Sequence, residues 1–165
     1  MKPSFTLIEL IIVIGIITLF SGFSLAMYND FTETKKLEAE TKKFVEVLEL
    51  AKKKINSGDK PTTCDTLLNY KVTYSTNAYQ VFAQCFSSII QIGSSIDLPL
   101  NIILTVSPPA SLPDEVIFKP FGLGVDLGVG VVEKNVLIKN NNNSKCRQIN
   151  IKNSGVINEQ KTACL

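Results

Sequence analysis

The chain has 165 residues, with 17 Lys plus Arg, 15 Asp plus Glu, four Cys and neither His nor Trp. That length suits one domain with a real core, and a net charge of +2 sets up no strong field for nucleic acid or a membrane surface. The lack of His excludes a Ser-His-Asp triad, a Cys-His dyad and any His-ligated zinc site, while 45 % apolar against 19 % charged residues argues against disorder.

The apolar excess is concentrated at the N-terminus. Residues 5–27 read FTLIELIIVIGIITLFSGFSLAM, with Glu9 as the single charge. A helix of that length reaches roughly 34 Å, enough for a bilayer core of about 30 Å. Gly15 and Gly22 are ordinary in membrane helices. Lys2 ahead of the run leaves the N-terminus in the cytoplasm and the rest outside. Glu9 lies about one turn into the segment, where a carboxylate costs about 2.5–3.5 kcal/mol at a helix centre and less toward an end. It reads either as a tolerated interfacial charge or as a carboxylate that needs a cation inside the membrane. A free α-amine on Phe5, its own or a neighbouring subunit's, is such a cation. It exists only if the chain is cut between Ser4 and Phe5.

Ser4-Phe5-Thr6-Leu7-Ile8-Glu9, followed by the apolar run Leu10 to Phe20, resembles the class III signal of type IV pilins and type II secretion pseudopilins. In that family a short basic leader and a small residue precede a Phe-Thr-Leu-Ile-Glu core; Ser4 stands where the family has Gly. The resemblance implies cleavage after Ser4 and N-methylation of Phe5 by a prepilin peptidase. It also implies pairing of Glu9 with a Phe5 amine during filament assembly. Two other readings fit the same residues. One is a secretory signal with Lys2 as its charged region, Leu10 to Phe20 as its apolar region and Ser24-Leu25-Ala26 as its cleavage site, although Glu9 serves no purpose there. The other is an uncleaved anchor. All three place the rest of the chain outside the cytoplasm.

Leu37, Phe44, Leu48, Ala51 and Ile55 form a helical apolar stripe. Glu38–Lys42 and Glu49–Lys53 are i,i+4 pairs in the favoured order. No Pro interrupts residues 5–56, so the spacing predicts one nearly continuous helix, with a hint of a break at Asn29-Asp30. Its first half would lie in lipid, its second half on a domain, and Ser57-Gly58-Asp59-Lys60-Pro61 would stop it. The period then changes to two. Tyr70, Val72 and Tyr74, a turn at Ser75-Thr76-Asn77, and Tyr79, Val81, Ala83 and Cys85 read as a hairpin. Further strands are expected at 89–92 and 96–106, with Pro99 at an edge or break. A loop covers 107–113 and a short strand 116–119. Strands at 129–133 and 136–139 would flank a turn at Lys134-Asn135. Asn140 to Ser144 reads as a turn, and residues 147–152 and 156–159 as a last hairpin around Asn153-Ser154-Gly155.

Four Cys allow three connectivities. A turn at Ser75–Ala78 puts Cys85 opposite residue 68, near Cys64. A turn at Asn153–Gly155 puts Cys146 opposite residue 162, near Cys164. The registers therefore predict Cys64–Cys85 and Cys146–Cys164, the first worth about 3 kcal/mol in a chain-entropy model. No C-x-x-C pair supports a metal site, and Gly122-Leu-Gly124-Val-Asp-Leu-Gly128 has the wrong spacing for a nucleotide loop. Asn142-Asn143-Ser144 matches a glycosylation sequon, which an asparagine run produces by chance. No cofactor, metal or enzymatic constellation is expected.

Val116-Ile-Phe-Lys-Pro-Phe-Gly122, Cys146-Arg-Gln-Ile-Asn-Ile and Ser154-Gly155-Val156-Ile157 are similar to the C-terminal half of the GspH/FimT pseudopilins, with Val156 where that group has Arg. The resemblance implies an α+β pilin fold, a long helix packed on antiparallel sheets or a sandwich, and a minor subunit that primes or caps a filament. Residues 1–4 are then a leader, 5–28 a transmembrane and filament-core helix, and 29–165 a periplasmic or extracellular domain that includes the second half of the helix. The chain would be a single-pass inner-membrane protein before assembly. Its partners would be other pilin or pseudopilin subunits, a prepilin peptidase, an inner-membrane assembly platform and lipid. Lys134, Lys139, Lys145, Arg147, Lys152 and Lys161 face Glu159 alone over residues 134–165. A FimT-like DNA contact through Lys145, Arg147 and Lys152 is the lesser alternative, since no aromatic platform interleaves them and a solvated hairpin face explains them.

Overall fold

The computed structural model describes residues 6–107, 114–162 and 164, the side chains of residues 20–26 and Ser107 excepted. Its first element is a 50-residue helix, α1 (Leu7–Asn56), about 75 Å long at 1.5 Å per residue. It runs unbroken through Asn29-Asp30. Ser57, Gly58 and Asp59 end it by donating their N–H groups to the carbonyls of Lys53, Ile55 and Lys54, with Gly58 at φ 65°. Nine strands follow: β1 (Leu67–Tyr74), β2 (Ala78–Cys85), β3 (Ile89–Asp97), β4 (Ile102–Ser107), β5 (Asp114–Phe118), β6 (Val125–Asp126), β7 (Glu133–Asn140), β8 (Lys145–Lys152) and β9 (Ile157–Thr162).

The strands form two antiparallel sheets, in the orders β3-β2-β1-β5-β6 and β4-β7-β8-β9. The second half of α1 packs on β1 of the first sheet and on β7 and β8 of the second. Leu37, Phe44, Leu48, Ala51 and Ile55 enter one core with Tyr70, Val72 and Tyr74 of β1 and Val136, Ile138, Ile149 and Ile151 of the second sheet. Phe44 is fully buried and sets its ring edge-on to Tyr74 at 5.7 Å and Tyr79 at 5.0 Å. Burial pushes the Tyr74 hydroxyl up, helped by the Asp114 carboxylate that accepts its proton at 3.0 Å. Burial pushes Tyr79 up to about 12, with Glu40 and Glu46 adding to it.

Several expected strands are placed differently. The run 96–106 is not one strand: Leu98 to Asn101 turn it, so β3 ends one sheet and β4 begins the other. Of the strand expected at 129–133 only Glu133 is in a strand, and Lys134-Asn135 is not a turn; Glu133, Lys134 and Asn135 all belong to β7, which starts at Glu133. Lys134 is only 8 % exposed and donates to Asp114 at 2.9 Å and to the Glu115 carbonyl at 3.1 Å. That ion pair ties β7 to β5 of the other sheet, so a charged residue that reads as a turn sits inside. The glycine-rich stretch holds β6, whose Val125 N–H donates to the Asn153 carbonyl at 2.8 Å. Glu38 pairs with Lys42 at 3.4 Å as the spacing suggests, whereas Glu49 pairs with Lys52. Of the loop expected at 107–113, residues 108–113 lie outside the described residues.

Candidate functional site

The N-terminal part of α1 has no partner in the domain. Every Leu, Ile and Val from Leu7 to Leu19 is 46–76 % exposed, and Met27, Tyr28 and Phe31 extend the row. A monomeric soluble protein rarely shows a continuous apolar surface of this size, so it marks contact with lipid or protein. Among the described residues no helix is long and apolar enough to cross a membrane. The span expected over residues 5–28 includes Phe5 and the side chains of residues 20–26, which lie outside the described residues, as does Ser4.

Glu9 is exposed on this helix, and it is not unpaired. Its carboxylate accepts the Thr6 backbone N–H at 3.2 Å and the Thr6 hydroxyl at 3.0 Å. The Glu9 N–H donates back to Thr6 Oγ1 at 3.4 Å. This reciprocal pair is a capping box: it satisfies two orphan donors at the helix start and sets a negative charge where the helix dipole favours one. Glu9 therefore has hydrogen-bond partners three residues away, and neither of them is a cation. Thr6 is the residue that the sequence reading passed over, although the Thr-x-x-Glu spacing that signals it is present in Thr6-Leu7-Ile8-Glu9.

A second polar constellation sits where α1 leaves the domain. The turn between β7 and β8 reaches back to the helix. The Asn140 amide donates to Glu33 Oε2 at 3.0 Å and to the Glu33 carbonyl at 3.2 Å. Asn142 donates to Glu33 at 3.2 Å, Asn143 to Asp30 at 3.3 Å, and Lys145 to Asp30 at 2.6 Å and Thr34 at 2.9 Å. The Lys145 hydrogen bond holds the Asp30 carboxyl below its usual range, and Asn140 followed by Lys36 does the same for Glu33. One turn further on, Arg147, 9 % exposed, bridges Glu159 at 2.6 Å and Glu38 at 3.6 Å. The contacts of Asn140, Asn142, Asn143, Lys145 and Arg147 with α1 join residues more than 100 apart in sequence, and they fix the direction in which the exposed helix departs.

The same contacts bear on the cations considered for DNA. Lys145 is paired with Asp30, and Arg147 with Glu159 and Glu38. Lys152 is exposed at the far end of β8, without an ion pair among the described residues. The three therefore do not form one open basic face.

Both disulfides are present, Cys64–Cys85 with Cα atoms 5.6 Å apart and Cys146–Cys164 with 5.2 Å. Cys146 is opposite Thr162, as the hairpin register requires. Cys85 is opposite Leu67 rather than residue 68, because a bulge between Leu67 and Asn69 shifts the ladder. Cys64, Asp65 and Cys85 bring possible ligand atoms within 4.8 Å of one another, but both sulfurs are consumed in the disulfide. No family model matches the chain, and no curated protein or solved structure matches it.

Proposed function

We propose that the chain is a minor pilin or pseudopilin, a structural subunit of a type IV pilus or a type II secretion pseudopilus. In this reading a prepilin peptidase cuts after Ser4 and methylates the Phe5 amine. The subunit waits as a single-pass inner-membrane protein with its domain outside the cytoplasm, then passes into a filament through an assembly platform. One observation carries the reading: a single continuous helix buries its second half in a disulfide-bonded domain and exposes an almost uninterrupted apolar surface from Leu7 to Leu19. Such a helix needs an apolar environment, first lipid and then the matching helices of neighbouring subunits. Helix packing supplies the assembly energy. Glu9 supplies register, because its Thr6 partners are neutral, a carboxylate without a counter-ion inside a helix bundle is costly, and a neighbour's Phe5 amine is the cation of matching charge.

The capping box makes the test sharper. Glu9→Gln keeps a side chain able to cap Thr6 but removes the charge, whereas Glu9→Ala removes both. In a host with a prepilin peptidase and a matching assembly system, both variants are expected in the membrane at normal level. Their recovery in sheared filaments is expected to fall about tenfold or more. Normal incorporation of Glu9→Gln would show that capping alone is the role of Glu9 and would refute the cross-subunit pairing.

A further inference from the structure

An open cleft of about 580 Å³ lies beside the point where α1 leaves the domain. Thr34 lines it from the helix, Ser144, Lys145 and Arg147 from the start of β8, and Lys161 and Thr162 from the end of β9. Leu37 and the Cys146–Cys164 disulfide complete its wall. Three cations thus face one space, Lys145 paired with Asp30 beside it, Arg147 paired with Glu159 and Glu38, and Lys161 without an ion pair among the described residues.

The cations differ in how they are held. Arg147 is buried and fixed by Glu159 and Glu38, so it is a rigid positive wall. Lys145 is bound to Asp30 at 2.6 Å, but both side chains are about half exposed, and such a pair exchanges readily for a stronger anion. Lys161 is exposed and has no ion pair among the described residues. A phosphate needs such a group: charged donors to several of its oxygens.

The cleft's position along α1 selects the source of that phosphate. The exposed apolar row ends in Tyr28 and Phe31, aromatic residues of the kind that sit at a membrane interface. Thr34 lies six residues beyond Tyr28, about 9 Å along the helix. The headgroup layer on each face of a bilayer is about 5–8 Å deep, so the Lys145 ammonium, held at Asp30, sits at its level. We propose that this cleft binds the phosphate of an anionic phospholipid headgroup, with Lys145 and Lys161 as its ligands and Arg147 as its fixed wall. Lys145 exchanges Asp30 for the lipid, and the headgroup holds the domain down on the outer face of the membrane until the subunit is drawn out. The proposal rests on the membrane reading above.

The test uses the full chain in nanodiscs of equal phosphatidylglycerol and phosphatidylcholine, with retained lipid identified by native mass spectrometry. The chain is expected to retain phosphatidylglycerol over phosphatidylcholine by about fivefold for each cation engaged. Lys145→Gln with Lys161→Gln is expected to bring the ratio to parity. Lys139→Gln with Lys152→Gln, which removes two charges of the same sheet outside the cleft, is expected to leave it unchanged. Equal loss in both double variants, or no preference in the parent chain, would overturn the headgroup site and leave the anchor standing. A chain that does not enter the nanodisc would overturn the anchor itself and the lipid source with it. Displacement of the lipid by glycerol 1-phosphate at millimolar level would assign the cleft to a free phosphate. Displacement by a short DNA duplex would assign it to nucleic acid. Either displacement would refute the proposal.

Discussion

Phe44→Ala removes the side chain that fastens α1 to the domain. The ring is fully buried and meets two tyrosines edge-on, at 5.7 and 5.0 Å. Truncating a buried Phe costs about 3–5 kcal/mol through lost transfer energy and the cavity left behind. The two edge-to-face contacts, each worth about 0.5–1.5 kcal/mol, place the loss in the upper part of that range. For a domain of this size about 3 °C of melting temperature is lost per kcal/mol, so the midpoint should fall by roughly 10–15 °C. The assay is thermal unfolding of the full chain in a non-ionic detergent, followed by near-ultraviolet circular dichroism, to which the packed Tyr74 and Tyr79 contribute with the other tyrosines. Leu50→Ala, on the exposed face of the same helix, is the control and should cost less than about 0.5 kcal/mol. A fall of under 3 °C for Phe44→Ala, or equal effects of the two variants, would refute the placing of the core between helix and sheets.

Cys146→Ser with Cys164→Ser opens a closure of 18 residues and should lower stability by about 3 kcal/mol, with early proteolysis at β9 as the visible sign. Gly124→Ala should destabilise by more than about 1 kcal/mol in the same melt, because Gly124 has φ 79° and a Cβ there would sit 2.2 Å from the Asn153 carbonyl oxygen. Tyr70, Tyr74 and Tyr79 all titrate above their ordinary value of 10, each chiefly through burial. Their neutral forms therefore stabilise the fold below pH 10, and that contribution is lost as pH rises through the raised values. Tyrosinate absorbance at pH 11 should reach well under the signal of all four tyrosines and rise to the full signal only on unfolding.

The long helix was legible because its two halves carry different but consistent patterns, an apolar run and then a stripe at Leu37, Phe44, Leu48, Ala51 and Ile55. The two hairpins that place the cysteines were legible because Ser75-Thr76-Asn77 and Asn153-Ser154-Gly155 are strong turn signals and fix the register on both sides. What escaped was decided at long range. Lys134 enters β7 because Asp114, 20 residues away, neutralises it. Val125-Asp126 pairs with β5 because the turn at Asn153 receives it, which no local propensity encodes. The clamp between Asp30–Thr34 and Asn140–Lys145 spans more than 100 residues, so a run that read as a plain asparagine turn is what orients the helix. Thr6 is the exception: its capping signal is local and was hidden only by the apolar run around it.

The measurement closest to the central claim is intact mass with N-terminal sequencing of the chain recovered from the membranes of a host that expresses a prepilin peptidase. The account predicts a chain that begins at Phe5 and carries one methyl group on its amine. A chain that begins at Met27, or one that still begins at Met1, would contradict it and remove the paired role of Glu9 together with the filament.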